Sequence, residues 1–472
     1  MTMVAGGPGL RADLERIVGP KGLVDAGDHP AYERGYRYGQ GSAREIVRPA
    51  SIDELRAIVR YCHAADLRMV VQGANTGLVA ASTPGSAGDQ LLISTTRLTG
   101  APSISADDRS AVVMAGVRLS GLNAAAEACG LCFPIDLGAD PSIGGMIATN
   151  TGGSRLIRYG DVRRNLLAVE AVIADADATV MGDLRGLRKD NSAADLKQLF
   201  VGTGGAFGIV TRAKVELHRL PTQVETALIV PPGRDAVPDL ITALERLTGE
   251  FLSACEGISG TALETVLRHH PSMRRPVEPC DYAVLVELST AARVDQLDLH
   301  GFLIASLAEL SDGARPLVRD AAVGRGRELW GIRHAISESL SREGRVIAFD
   351  VSMPRGRLPE FHEATSFAIS EAYPFLKVCD FGHCADGGDH FNVVWPGQPA
   401  EDEFQTVSGA LRDFVYDEVV SRYGGSFSAE HGLGPYNDRY YRRYVPEGHR
   451  AMAAALKRFF DPKGLLGNFS FD

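Results

Sequence analysis

The 472-residue chain has no excess of positive charge, no apolar run long enough to cross a bilayer and no cysteine framework, and each absence removes a class of function. Lys and Arg number 49 against 59 Asp and Glu, a net charge of −10. No general field therefore attracts nucleic acid or an anionic membrane surface, although a local basic pocket for a small anion is compatible with that balance. No uncharged apolar stretch reaches the ~18 residues of a spanning helix. The opening MTMVAGGPGLRADLERIVG has neither the basic nor the apolar region of a secretory signal, so a cytoplasmic protein is expected. The seven cysteines (Cys62, Cys129, Cys132, Cys255, Cys280, Cys379 and Cys384) are odd in number and scattered, unlike the framework of a small secreted domain. Cys129 and Cys132 form a lone CxxC with no second pair at zinc spacing, and helix packing is the better reading of it. Two nucleotide motifs are missing as well. There is no GxxxxGK[ST] loop, and Gly202–Gly208 places Phe207 where the dinucleotide fingerprint GxGxxG needs its last glycine. No Asp or Glu sits in a convincing ribose position ~20 residues beyond it, which disfavours an NAD-type Rossmann site.

What is present is a chain too long for one core, so two folding units are expected. Hydrophobic residues make up 45% and charged residues 23%, ordinary for a globular protein. Ser51 and Glu54 form a capping box, and Leu55, Ile58, Val59 and Cys62 recur at helical spacing, predicting a helix over 52–66. Short strands are expected at 70–71, 91–94, 111–117, 167–175 and 208–217, with a helix near 119–129. The texture changes near Pro221. Beyond it strands are expected at 225–230, 282–289, 346–353 and 390–395. Helices are expected near 236–248, 293–311, 322–341, 357–371 and 401–421, giving a separate sheet with helices on one face. The division read from this is 1–220 (core about 42–220), 221–424, and a terminal segment 425–472 that returns to the first domain. The class is α+β.

Three glycine-rich segments are candidates for cradling phosphate: QGANTGL at 72–78, directly after a strand; the long run DLGADPSIGGMIATNTGGS at 136–154; and GTGGAFG at 202–208. Glycine lets backbone approach a diphosphate, and successive N–H groups form anion-binding nests. With 52 glycines in the chain, any one cluster alone reads better as a loop. Three together, two of them interleaved with Asn, Thr and Ser, favour an extended dinucleotide such as FAD.

VRPAS at 47–51, QGANTGL and PIDLGADPSIGGMIATNTGGSR together resemble the FAD-binding domain (PCMH type) of the vanillyl-alcohol-oxidase-type flavoproteins. The resemblance implies that Gly73, Ala74, Asn75, Thr76, Gly77 and Leu78 wrap the pyrophosphate. It places Ser142, Gly145, Thr149, Asn150, Gly152 and Gly153 along the flavin and Ile209 and Val210 near the adenine. Members with covalent flavin often carry a His in the first loop; this chain has none there, so noncovalent FAD is expected. Thr203-Gly204-Gly205 replaces the usual Ser-Glu-Gly, and Gly467-Asn468 departs from the usual LLNPGK ending.

The richest chemical segment is FGHCADGGDHFN at 381–392, where a turn-forming ADGGD separates two strand-like runs and a hairpin would set His383 and His390 face to face. About forty residues later comes SAEHGLG at 428–434. Two imidazoles and a carboxylate make a three-ligand metal site with open positions, suited to Zn2+ and also to Fe2+ or Mn2+. The two histidines alone would read better as separate structural residues; the Glu430-His431 pair tips the balance to chemistry. These segments resemble the D-2-hydroxyglutarate and D-lactate dehydrogenase branch, where GHxGDGNxHxN and SAEHGxG recur. The resemblance implies a metal on His383, His390 and Glu430, Zn2+ first with Mn2+ or Fe2+ as alternatives, His431 as catalytic base and Asn392 on the substrate. Ala385 and Gly388 depart from the motif, but the ligand spacing is intact. It further implies a second domain, the substrate (cap) domain, with an antiparallel sheet covered by helices.

The implied chemistry accounts for the residue types. Oxidising a D-2-hydroxy acid removes the hydroxyl proton and passes a hydride from the α-carbon to flavin N5. A metal lowers the hydroxyl pKa, an imidazole accepts the proton, and an Arg fork suits the carboxylate. Arg333 and Ser337, one turn apart on an expected helix, would contact the substrate by resemblance; a solvated arginine is the plainer alternative. Relatives acting on diacids often have Lys where this chain has Ala348, so D-lactate fits at least as well as D-2-hydroxyglutarate. The acceptor expected is a quinone or an electron-transfer-flavoprotein-like partner, with neither nucleic acid nor a membrane span, and a homodimer stays open. The alternatives are an FAD-dependent oxidase of another alcohol or hydroxy acid, and a catalytically inactive flavin-binding subunit of a larger complex.

Overall fold

The computed structural model describes residues 9–324 and 326–471. Residues 1–8, part of the stretch read for a signal, and Arg325, inside the expected 322–341 helix, lie outside the described residues, as does Asp472. The chain forms two compact units: residues 1–152, 161–220 and 430–472, and residues 153–160 and 221–429.

In the first unit the strand Gln90–Ser94, buried throughout, is flanked by Ala43–Val47 and Arg68–Gln72 in a parallel three-stranded sheet. Helix Ile52–Ala64 covers it with Leu55, Ile58, Val59 and Cys62. Its start follows the capping box: Ser51 Oγ accepts from the Glu54 N–H, and the Glu54 carboxylate accepts from the Ala50 N–H at 2.7 Å. A five-stranded antiparallel sheet holds Ile209–Glu216 between Ser110–Met114 and Leu166–Val172. The C-terminal segment is locked on by Lys457, whose buried ammonium donates to the Ala206 and Leu466 carbonyls and to Asp461. No helix among the described residues is long and apolar enough to cross a membrane.

The second unit is built on an antiparallel sheet. Its strands run in the order Asp320–Gly324, Gln223–Val230, Tyr282–Thr290, Leu252–Ser259, Lys377–Gly382, Gly388–Pro396, Gly344–Ala348, with Val351–Ser352 pairing separately with Gly388–Pro396. Helices Gly260–His269 and Gly326–Glu343 pack Leu263, Val266, Trp330 and Ile336 on one face, against Leu228, Ile258, Leu285 and Phe381. Asp380 points the other way and meets His362 of helix Leu358–Ala372, so helices cover both faces rather than the one expected. Two further expectations fail locally. Residues 320–324 are an edge strand, and the helix expected from 322 runs over Gly326–Glu343. The helix expected from 293 begins at Leu299, where Asp298 caps it by accepting from the Gly301 N–H at 3.0 Å. The strand Leu252–Ser259 and the helix Gly260–His269 were not anticipated at all.

Candidate active site

In the first unit the strand Arg68–Gln72 feeds a loop that opens a cleft of about 260 Å³. Residues 73–78 all line it, with Ser142, Gly145 and Thr149 of the second glycine run and Ile209 and Val210 of the central strand. Local chemistry explains the shape. A Cβ on Gly73 would sit 2.2 Å from Ser142 Oγ, and that hydroxyl caps helix Ile143–Thr149 by accepting from the Gly145 N–H. Asn75 holds a left-handed backbone, φ 56°, which Asn tolerates better than most residues; its amide donates to the Arg34 carbonyl and accepts from Ser82 Oγ. Gly77, Gly138 and Gly205 line the cleft with almost nothing in front of them, a cradle that side chains would fill. The third glycine run, which fails the Rossmann fingerprint, contributes Gly204, Gly205 and Gly208.

Asn150 and Gly152 are not among the residues that line this cleft, and Gly153 belongs to the second unit. Asn150 is the left-handed C-cap of helix Ile143–Thr149, φ 53°, and its amide spans to Asp161 and the Arg163 N–H at 2.8 and 2.9 Å. Glu430 and His431 do line it, so a carboxylate and an imidazole stand at the glycine-lined cleft itself.

In the second unit the hairpin Lys377–Gly382/Gly388–Pro396 pairs Phe381 with His390 and brings the His383 and His390 rings to 5.3 Å between centroids, at 71°. The turn is fixed by Asp386, which accepts from the Gly388 N–H at 2.8 Å, and by Gly387, φ 89°, where a Cβ would meet the Met353 carbonyl at 2.0 Å. Asn392 donates to the His390 carbonyl at 2.8 Å and is the cross-strand partner of Ala348. Arg333 lies over the Phe381 ring, 4.6 Å from its centroid; Ser337, one turn on, is exposed.

Glu256 is the residue that sequence reasoning missed. It is wholly buried in the strand Leu252–Ser259, where the pairing of Gly257 with Gly382 sets it opposite His383. One carboxylate oxygen lies 2.6 Å from His383 Nδ1, and the other accepts from Arg333 Nε at 2.7 Å. Burial opposes its charge, but His383 and Arg333 outweigh that and hold the carboxyl at about 2. A second buried network underlies the hairpin on the opposite face. Arg234 grips Asp380 with two bonds of 3.0 and 3.2 Å, and His362 bonds Asp389 at 3.1 Å. The ligand atoms of His362, Asp380 and Asp389 lie within 4.8 Å of one another, but Arg234 already occupies Asp380, and the group reads as a matched charge network.

Residues 43–182 match the FAD binding domain family, and residues 220–469 match the family of FAD linked oxidases, C-terminal domain. The chain belongs to the FAD-linked oxidase family. A relative named D-2-hydroxyglutarate dehydrogenase, mitochondrial, from Bos taurus is 34% identical over 467 residues, covering 97% of this chain and 82% of its own length. One named D-2-hydroxyglutarate dehydrogenase from Stutzerimonas stutzeri is 30% identical, covering 97% and 98%. A solved structure of alkyldihydroxyacetonephosphate synthase shares the fold at TM-score 0.73 and 14% identity, covering 98% of this chain and 85% of that one. As a member of the FAD-linked oxidases this chain has the PCMH-type fold with an antiparallel second sheet, and the glycine-lined cleft lies in the unit that carries the FAD-binding match.

Proposed function

We propose that this FAD-dependent hydroxy-acid dehydrogenase oxidises a D-2-hydroxy acid to the 2-oxo acid with the help of a divalent metal held by His383, His390 and Glu430. The observation that carries the proposal is that His431 and Glu430 line the same cleft as the dinucleotide loops, so a proton acceptor stands where an FAD-linked oxidation needs one. His431 takes the hydroxyl proton, Arg333 and Asn392 orient the substrate's carboxylate end, and Ser337 borders Arg333. FAD, held without a covalent link by the loop of residues 73–78 and by Ser142, Gly145 and Thr149, would supply a two-electron acceptor for the α-hydrogen. A metal on His383, His390 and Glu430 would supply Lewis-acid chemistry toward the substrate hydroxyl. The donor chemistry fits a metal of the zinc type: two imidazoles stand 5.3 Å apart, and a carboxylate holds His383 by Nδ1, an arrangement typical of ligating histidines. A quinone or an electron-transfer-flavoprotein-like partner would serve as the electron acceptor.

The substrate's far end separates two versions of the reading. The relatives' names point to a diacid, whereas Ala348, paired with Asn392, offers no cation to a second carboxylate, which favours D-lactate or another monoacid. The test is anaerobic bleaching of the purified flavoprotein near 450 nm by D- and L-2-hydroxy acids, with and without EDTA. Bleaching by a D-acid that EDTA abolishes supports the proposal. Failure of every 2-hydroxy acid to bleach metal-loaded, FAD-replete protein removes the substrate class.

A further inference from the structure

Glu256 is costly to keep. An ionised carboxylate wholly inside a sheet core loses its hydration, and an apolar residue of similar volume often does as well or better where only stability is at stake. The neighbouring strand provides a contrast. Glu287 is also buried, and its donors are Arg155, Ser253 and Trp330, a set that ties the unit together and includes none of the residues proposed for chemistry. Glu256 instead spends one oxygen on His383 and the other on Arg333.

We propose that Glu256 is a positioning residue shared by a metal ligand and the substrate-carboxylate binder, fixing the tautomer of His383 and the aim of the Arg333 fork at once. This rests on the function proposed above. A carboxylate is acceptor-only, so His383 Nδ1 carries the proton toward it, which in the neutral ring makes Nε2 the nitrogen with the lone pair, the form a ligand needs. The second oxygen takes Arg333 Nε, and with the guanidinium seated over Phe381 the two terminal nitrogens are the ones left to form a fork. Glutamine has the same shape but cannot do both tasks, because only one of its two terminal atoms is an acceptor and the other is a donor NH2. Its carbonyl is drawn to the cationic Arg333, so its NH2 faces His383. That orientation shifts the ring proton to Nε2 and spoils the ligand.

The test titrates Zn2+ alone into chelator-stripped, FAD-replete protein by chelator competition, in the wild type and in Glu256→Gln, Glu256→Asp and His383→Ala, with FAD content and melting temperature recorded for each. In parallel, KM and kcat are measured at saturating metal. Glu256→Gln is expected to weaken Zn2+ binding about 10- to 100-fold, the usual effect of removing a ligand's orienting partner, while FAD content stays at the wild-type level. Glu256→Asp keeps both acceptors on a shorter stem and is expected to retain tighter Zn2+ binding than Glu256→Gln, with a raised KM. Wild-type Zn2+ affinity and KM in Glu256→Gln, alongside loss of Zn2+ in His383→Ala, overturn the shared-anchor role and leave the metal reading intact. Unchanged Zn2+ binding in His383→Ala removes the metal reading, and the anchor role falls with it. If Glu256→Gln does not fold, Glu256→Asp decides: wild-type affinity and KM overturn the proposal, and weaker Zn2+ binding with a raised KM supports it.

Discussion

Replacing Arg234 by methionine tests whether the hairpin that carries both histidines depends on the charge network beneath it. Arg234 makes two bonds to Asp380, of 3.0 and 3.2 Å, and lies over the Tyr282 ring, 4.6 Å from its centroid. Asp380 is 1% exposed, so water does not replace the lost cation. Two unit charges about 4 Å apart attract by about 4 kcal/mol at an effective dielectric near 20, and stripping one partner from a buried pair costs about 3–5 kcal/mol. His362 Nδ1 stays 3.6 Å from Asp380 and recovers part of that attraction, which places the expected cost at the low end, about 3 kcal/mol. For a unit of roughly 200 residues this lowers the melting temperature by roughly 6–12 °C.

The assay is scanning calorimetry of FAD-replete protein, with kcat/KM measured well below the transition. The second-unit transition is expected to fall by that amount, and kcat/KM with it, because Asp380 and Asp389 lie next to Phe381 and His390 on the paired strands. Adding Asp380→Leu to Arg234→Met removes the stranded charge, and the double variant is expected to regain more than half of the loss. A shift under about 2 °C in Arg234→Met, or a double variant less stable than the single, would refute the reasoning, because either result means that losing the guanidinium does not leave Asp380 as an uncompensated buried charge.

His431→Ala is expected to lower kcat at least ~100-fold, the usual scale of a general base, with FAD retained; stopped-flow flavin reduction checks this, and an unchanged rate removes His431 from the mechanism. Ala348→Lys adds a cation beside Asn392 and is expected to raise kcat/KM for D-2-hydroxyglutarate relative to D-lactate about tenfold, within the range of one charge-assisted hydrogen bond. An unmoved ratio means that the far end of the substrate is read elsewhere.

The parts of this protein that were legible in its sequence are those whose chemistry is local. The loop 73–78 could be read because a strand, a glycine needed for close approach at Gly73 and an Asn suited to positive φ at position 75 are contiguous, and each constraint leaves its residue type in place. The hairpin 377–396 could be read for the same reason, since Asp386 and Gly387 fix a turn a few residues from either histidine. Asn150 shows the limit of that kind of reading. It shares a run with true cleft residues, yet its left-handed backbone and its bonds to Asp161 and Arg163 give it a helix-capping task that residue type alone does not distinguish from a contact along the cleft.

Glu256 was illegible for a deeper reason. Its strand, LSACEGIS, is buried on both sides, so it lacks the alternation of polar and apolar residues that marks a half-exposed strand. Its two donors stand 77 and 127 residues away along the chain. Nothing near position 256 signals an anion, and a glutamate between Cys255 and Gly257 reads as a surface residue until the sheet order puts Leu252–Ser259 beside Lys377–Gly382 and Arg333 of helix Gly326–Glu343 reaches the same carboxylate. The motifs therefore announce the residues proposed to touch substrate and metal, while the group proposed to aim them is set by strand order. A buried carboxylate whose two oxygens face two separate motif residues is the structural sign by which such a group is found.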